Sequence, residues 1–169
     1  VSGTAAVLQQ AYAEQHQGAL PTAALVRALL INGADDIGPP GPDFSSGFGK
    51  LNALRSVQMF DAGNYATAAI GNLDTFRLEL DVPTGSRRFK ITLAWDDPPA
   101  LAGAPAALVH DLDMLLFSPD GQLTYLPYVL NSAPVLDSLQ LLAERAVDSL
   151  NTVEQIDLLN PAPGTYRLE

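Results

Sequence analysis

The first twelve residues, VSGTAAVLQQAY, constrain the fold of this chain more than any other stretch. They predict a helix of small and apolar residues. No polar cap or turn precedes Val1, although helices normally start just after Ser, Thr, Asp or Asn. The small side chains at positions 2–6 would let other backbone approach closely on nearly every side, as in a helix inside a larger protein. We therefore expect further chain to cover this helix, and the sequence to be part of a longer protein.

The composition excludes several classes of function. The 169 residues are 47% hydrophobic, enough for one substantial domain or a domain with an appendage. A formal net charge of −10 argues against binding to nucleic-acid phosphates, and it is compatible with a secreted protein or with bound calcium. The absence of cysteine excludes disulfides and thiolate metal sites. No apolar run approaches the length that a membrane span needs, so we expect neither a nucleic-acid nor a membrane partner.

The hydrophobic period changes near residue 63. Before it, a helical period predicts three helices, the second capped by Thr22, and Gly47-Phe48-Gly49 predicts a tight backbone passage. After it, alternating residues and turns predict the short strands of a β-sandwich. The predicted helices cover residues 1–16, 23–33 and 51–61, and the predicted strands cover 73–80, 89–95, 109–117, 125–131, 153–158 and 165 onward. Residues 137–150 are ambiguous and could be helical.

The predicted fold class is therefore α+β, with a helical segment over residues 1–62 and an antiparallel, jelly-roll-like β-sandwich over residues 63–169. Trp95 alternates inward with Ile91 and Leu93, which favours a place in the core. The alternative for Trp95 is an exposed platform that stacks on sugars.

Acidic pairs are the best candidates for a binding site. Asp111 and Asp113 lie two apart on a predicted strand, so both would point to one face. Another acidic pair ends the preceding strand, and oxygen ligands from strand ends and loops are those that calcium uses. The alternative is that these carboxylates cap loop amides or face water. The predicted calcium ligands are Asp96, Asp97, Asp111 and Asp113, with Asn151 and Glu154 as weaker additions.

No catalytic residue can be predicted within the chain. Ser45, Ser46 and His110 with Asp111 make only a scattered set of triad residue types. Neighbours on a strand point to opposite faces, so His110 and Asp111 would not face each other. The Gly47–Lys50 stretch lacks the full spacing of a phosphate-binding loop, GxxxxGK[ST].

Two groups of stretches carry a resemblance to a known family. The stretches VSGTAAVLQQAY, LPTAALVRALLINGA and FSSGFGKLNALRSV resemble the segment that follows the nucleophile motif in subtilisin-like serine proteases. The stretches RRFKITLAWDDPPA, LVHDLDMLLFSPDG and NTVEQIDLLNPAPGTYRLE are similar to the β-sandwich that follows the catalytic domain in many bacterial subtilases, which is related to the P domain of kexin-like proteases. Together these stretches cover most of the chain.

The resemblance implies that residues 1–62 are the last helices of a subtilase catalytic domain and that residues 63–169 are a P-domain-like sandwich, truncated at its last strand. The parent would be a secreted serine endopeptidase that cuts peptide bonds with a Ser-His-Asp triad. The triad would lie before Val1, so this chain would be an inactive accessory fragment whose partner is the rest of the catalytic domain, with protein or peptide as the parent's substrate. The alternative function is a non-catalytic β-sandwich module that binds carbohydrate or a protein partner.

In the parent, the first two helices would pack on the parallel sheet of the catalytic domain, which this chain would lack. Apolar side chains of the first two helices would lose their cover, and exposed apolar patches promote association. We therefore expect self-association or abnormal packing of the helices. The side chains concerned are Val1, Val7, Leu8, Leu25, Leu29 and Leu30.

Overall fold

A computed structural model describes the whole chain, Val1–Glu169, and contains three α-helices followed by eight β-strands. This confirms the predicted α+β class. The helices are α1 (Ser2–Gln15), α2 (Ala23–Gly33) and α3 (Ala53–Asp61), and the strands are β1 (Leu78–Val82), β2 (Arg88–Ala94), β3 (Leu116–Phe117), β4 (Thr124–Tyr125), β5 (Tyr128–Val129), β6 (Glu144–Arg145), β7 (Val153–Leu159) and β8 (Gly164–Leu168). None of the helices combines the length and apolar character needed to cross a membrane.

The chain divides into two compact units. Unit 1 contains residues 1–67, 94–96 and 130–143, and unit 2 contains residues 68–93, 97–129 and 144–169. Unit 1 thus includes the whole predicted helical segment, and unit 2 includes all eight strands apart from the last residue of β2.

Unit 1 is held together by one apolar cluster. Leu8 of α1, Leu25 and Leu29 of α2 and Phe60 of α3 are each at most 6% exposed, and Tyr65 stacks on the Phe60 ring. The expectation that Leu8, Leu25 and Leu29 lose their cover is therefore wrong, because the three helices cover these side chains themselves.

The expectation of exposure does hold for part of α1. Val1 and Val7 are 84% and 50% exposed, and Leu8 is the one fully buried residue of that helix. Helix α1 also lacks a side-chain cap at its start, as the sequence predicts.

Helix α2 starts where its predicted cap places it, and the Thr22 hydroxyl accepts a hydrogen bond from the Leu25 N–H at 3.2 Å. Helix α3 begins at Ala53, two residues after its predicted start, and the side chain of its N-cap, Asn52, accepts a hydrogen bond from the Arg55 N–H at 3.0 Å. The predicted tight passage is present at Gly49, which has a φ of +106°. A Cβ there would lie 2.2 Å from the carbonyl oxygen of Asp35, so only glycine fits.

Unit 2 is built from three small sheets. The largest has the order β1-β8-β3-β4, and the other two are the pairs β2-β7 and β5-β6. In the largest sheet all neighbours are antiparallel, with Leu80 opposite Tyr166 and Leu116 opposite Leu168. This register turns Leu80, Tyr166 and Leu116 to one face of the sheet, as strand alternation requires.

That face packs on the core of unit 2. The buried members are Val82, Met114, Leu116, Ile156 and Tyr166, and the half-buried side chains of β2 pack around them. Ile156 and Leu116 are fully buried, and the Phe89 and Tyr166 rings lie 5.3 Å apart. Residues from the β1-β8-β3-β4 sheet and from the β2-β7 pair thus contribute to the same apolar core.

Several predicted elements differ from the structure. The strand predicted over residues 73–80 begins only at Leu78, and the stretch predicted as one strand over residues 125–131 is divided between β4 and β5. The predicted strand over residues 109–117 is paired only over its last three residues, where Leu115 and Glu169 exchange backbone hydrogen bonds at 2.9 Å beside β3, and residues 109–114 are irregular. The ambiguous stretch 137–150 contains a 3-10 turn, Leu136–Gln140, and the short strand β6, but no α-helix. Trp95 is 8% exposed, so its prediction as a core residue is confirmed.

Candidate metal centre

A buried glutamate marks the most unusual polar site in unit 2. Glu154 is the second residue of β7 and is 1% exposed. Its Oε2 accepts a hydrogen bond from the Met114 backbone N–H at 2.7 Å. Its Oε1 is buried and has no hydrogen-bond partner. Because an unsatisfied buried oxygen costs free energy, the position calls for a ligand, a proton or both.

Three further carboxyl groups surround Glu154. Burial raises its pKa from 4.5 to about 8, the Met114 N–H opposes this rise, and the charges of Asp113, Asp148 and Asp111 add to it. Asp111 and Asp113 precede β3, and Asp148 precedes β7. The charges of both segments therefore act on Glu154. We call the group Asp111, Asp113, Asp148 and Glu154 the acidic cluster.

Asp148 is the most firmly fixed member of the acidic cluster. It is 3% exposed, and its Oδ1 accepts the backbone N–H groups of Leu150 and Asn151 at 2.9 and 3.2 Å. Its Oδ2 accepts the Asn151 amide at 2.8 Å. These bonds tie a turn immediately before β7, which positions Asp148 near Glu154.

The two remaining members lie at the surface. Asp111 and Asp113 are exposed, in the irregular segment that ends at the buried Met114. Desolvation raises the pKa of Asp111, and the neighbouring charges of Asp113 and Asp148 raise it further. Asp111 and Asp113 were predicted to share one face of a strand, but this segment is not a strand. Even so, the structure brings Asp111 and Asp113 to the same cluster.

No cation within the protein neutralises this cluster. None of its four carboxyl groups forms an ion pair with Arg, Lys or His. Four uncompensated carboxyl groups repel one another, and two of them are buried. Hard oxygen ligands of this kind are those that calcium takes, together with backbone carbonyls and water. As the side chains stand, however, no three acidic or histidine groups converge closely enough to hold a metal ion.

The other two predicted ligands have partners of their own. Asp96 pairs with the Arg27 guanidinium at 3.0 Å within unit 1. In unit 2 the Asp97 carboxylate is 7% exposed and accepts the backbone N–H groups of Val109 and His110 at 2.7 and 2.9 Å. His110 Nδ1 lies 3.0 Å from the same carboxylate, and these contacts lower the pKa of Asp97, the Val109 N–H most strongly.

The serine candidates serve local structure. The Ser46 hydroxyl donates to Asp43 at 2.7 Å, and the backbone N–H groups of Ser45 and Ser46 also donate to that carboxylate. These bonds, led by the Ser46 hydroxyl, lower the pKa of Asp43. They organise a tight loop that the bridge between Asp43 and Gly47 closes. No arrangement for nucleophilic catalysis is built around either serine.

The sequence analysis undervalued Glu154, which it predicts only as a weaker additional calcium ligand. It does not identify Asp148 as a ligand. One signal could have identified Glu154, namely that the predicted strand VEQIDLL has a carboxylate beside apolar residues. Every residue from Glu154 to Asp157 is in fact buried.

Comparison with known proteins gives one distant relationship. No family model matches the chain. The chain is 28% identical, over an alignment of 165 residues, to the serine protease/ABC transporter B family protein tagA of Dictyostelium discoideum. The alignment covers 88% of this chain and 9% of that relative, so the chain corresponds to a small part of it. This chain is therefore distantly similar to part of a protein that is named as a serine protease.

Proposed function

We propose that this chain is a non-catalytic part of a secreted, subtilisin-like serine endopeptidase. Residues 1–62 would be the last helices of the catalytic domain, and residues 63–169 an accessory β-sandwich. The distant similarity to a protein named as a serine protease supports this proposal. So do the family-like stretches on either side of residue 63. Peptide-bond hydrolysis by a Ser-His-Asp triad belongs to the parent, and the partner of this chain is the rest of its catalytic domain.

The accessory role proposed for unit 2 depends on calcium. Its ligands would come from the acidic cluster, and the side chains would have to move closer together to hold the ion. The observation that carries this proposal is the buried Glu154 Oε1, which has no partner although the charges of three other carboxyl groups act on Glu154. A divalent cation would satisfy that oxygen and remove the repulsion between the carboxyl groups. Calcium would then fasten the segment before β3 to the segment before β7.

Thermal unfolding with calcium, with magnesium and with chelator tests the proposal. A ligand that binds only the folded state stabilises it by RT ln(1 + [L]/Kd), which is about 2.7 kcal/mol at a concentration of 100 Kd. We expect a rise of that order with calcium and a smaller one with magnesium, which needs a stricter octahedral geometry. The rise should be lost in Asp111→Asn, a substitution of an exposed side chain that bonds nothing else in the structure.

The matched control is Asp96→Asn, which removes a predicted ligand that lies outside the acidic cluster. It should lower stability by about 1 kcal/mol or less, as for an exposed ion pair, and leave the calcium-dependent rise unchanged. Equal melting temperatures with calcium and with chelator would contradict the calcium role. The protease relationship would then rest on sequence similarity alone.

The inactive state of the chain is tested separately. Incubation with a casein or fluorogenic peptide substrate should give no cleavage, since no nucleophile, base and oxyanion hole are assembled in it. Cleavage that survives purification and is lost on Ser46→Ala would contradict the proposal.

A further inference from the structure

The outer face of the β1-β8-β3-β4 sheet carries a recess with no assigned role. Its volume is about 480 Å³. It is lined by Glu79 of β1, Phe117 of β3, Thr165 and Arg167 of β8, and the turn Ser118-Pro119-Asp120-Gly121. All these residues belong to unit 2, on the face opposite its core. The recess is therefore separate from the acidic cluster and from the apolar interior.

The floor of the recess is a row of three side chains set by strand register. Glu79 and Phe117 are both directly opposite Arg167, one on each side. The Arg167 guanidinium lies over the Phe117 ring, with its carbon 4.4 Å from the ring centre. This cation–π contact leaves a flat polar and aromatic surface next to a carboxylate.

The wall of the recess is a turn that packs closely against β8. Gly164, at the start of β8, has a φ of +134°, and a Cβ there would lie 2.8 Å from the Pro119 side chain. The turn and the strand are therefore in close contact. Asp120 accepts the Ser118 hydroxyl at 2.5 Å and the Gln122 N–H at 3.1 Å, and these bonds, the Ser118 hydroxyl first, lower its pKa. The carboxylate is thus held ionised at a fixed place, so a ligand would find it already ordered.

The two charged side chains of the floor do not pair with each other. Glu79 and Arg167 are opposite on neighbouring strands, yet they form no ion pair within 4.0 Å. Arg167 instead leans over Phe117, and only its Nε approaches a carboxylate, that of Glu169 at 3.3 Å. A bridging ligand must accept hydrogen bonds from a guanidinium and donate hydrogen bonds to a carboxylate. A hydroxyl group does both.

We propose that this recess binds a neutral saccharide. Neighbouring hydroxyl groups of one sugar ring would accept hydrogen bonds from Arg167 and donate to Glu79 and Asp120. The C–H face of the ring would pack against Pro119 and the Phe117–Arg167 stack. Two carboxylates against one guanidinium give the lining an excess of negative charge, which disfavours acidic sugars. This site goes beyond the proposed protease and calcium roles and does not depend on either.

The test is a titration of the whole chain with six-unit oligosaccharides of glucose, xylose, mannose and N-acetylglucosamine, followed by calorimetry and by NMR chemical shifts. We expect at least one to bind saturably below about 10 mM and to shift the resonances of Phe117, Thr165 and Arg167. Glu79→Gln should weaken binding about tenfold, because a neutral amide oxygen accepts a weaker hydrogen bond from a hydroxyl than a carboxylate does. Arg167→Lys, which keeps the charge but loses the planar fork, should do the same.

The matched control is Thr124→Ala, which is opposite Phe117 on the same sheet but does not line the recess. It should bind like the wild type. Because Glu79 is exposed and bonds nothing else, Glu79→Gln should also melt like the wild type. The proposal is overturned if none of the four oligosaccharides binds, if Glu79→Gln and Arg167→Lys bind unchanged, or if hexagalacturonate binds more tightly than the neutral sugars.

Discussion

Replacing Glu154 by Gln should stabilise the protein in chelator and remove its stabilisation by calcium. Gln keeps an oxygen that can accept the Met114 N–H, and it fills nearly the same volume. It never ionises, so it avoids the cost of a buried charge. It also offers calcium a weaker ligand than a carboxylate. The substitution should thus raise stability in chelator and abolish the gain from calcium. This pair of results is more informative than a simple loss of stability.

The pH dependence in chelator follows from the raised pKa of Glu154. Its pKa is about 8 in the folded protein against an ordinary value of 4.5, so the folded state holds a proton that the unfolded state has lost. The stabilisation is complete below about pH 4.5 and is lost as the pH rises toward 8. The carboxyl groups that face Glu154 are Asp111 and Asp113 before β3 and Asp148 before β7, and all three act in the same direction.

A pKa change of this size corresponds to about 5 kcal/mol at pH 8 if it is fully realised. Relaxation and water penetration reduce such costs, so we expect an effect of roughly 2–3 kcal/mol. The assay is urea unfolding of the wild type and of Glu154→Gln at pH 5 and pH 8, each with EGTA and with calcium. At pH 8 in EGTA the variant should be the more stable protein, and at pH 5 the difference should be small.

On the proposed calcium role, calcium at about 100 Kd should remove most of this difference at pH 8, because only the wild type would gain about 2.7 kcal/mol from the ion. Two results would refute the reasoning. A difference between the proteins that is the same at pH 5 and pH 8 would mean that Glu154 does not titrate in this range. Equal calcium stabilisation of both proteins would mean that Glu154 is not a ligand.

Three further predictions concern unit 1. Thr22→Ala should lower the free energy of unfolding by about 1 kcal/mol and Thr22→Ser by much less, which urea titration followed by circular dichroism at 222 nm would measure. Leu29→Ala should cost roughly 2–5 kcal/mol, because Leu29 is 4% exposed in the helical cluster, and a cost below about 1 kcal/mol would show that the cluster is loose. The exposed Val1 and Val7 should make the chain associate at high concentration, and a sedimentation experiment should show the association reduced in Val7→Lys.

Local chemistry made the helical part predictable. The predicted cap at Thr22 acts through a bond within three residues, so the sequence determines it almost alone. The cap at Asn52 is equally local, although it was not predicted. The close passage at Gly49 also has a local signature. The burial of Leu8 and Leu29 was not predictable in this way, because three short helices can cover one another, and only the packing decides whether they do.

The strand part was less predictable because pairing decides it. Residues 109–114 have the alternation of a strand, yet the carboxylates of Asp97 and Glu154 accept the N–H groups of Val109, His110 and Met114. Side-chain acceptors thus replace the ladder that a neighbouring strand would provide. The accepting carboxylates lie 12 to 40 residues away in the sequence from these N–H groups. A short stretch of sequence around residues 109–114 therefore cannot reveal this competition.

The same competition explains why an acidic residue occupies the interior of β7. A hydrophobic residue at position 154 would remove the buried oxygen and avoid its cost, but it would leave the Met114 N–H without an acceptor. Glutamine would supply that acceptor without a charge. The chain has instead a carboxylate, the one choice that costs stability at neutral pH unless a cation or a proton occupies the site. Since the charges of three more carboxyl groups act on Glu154, the proposed divalent cation would relieve more of this cost than a proton on Glu154 alone.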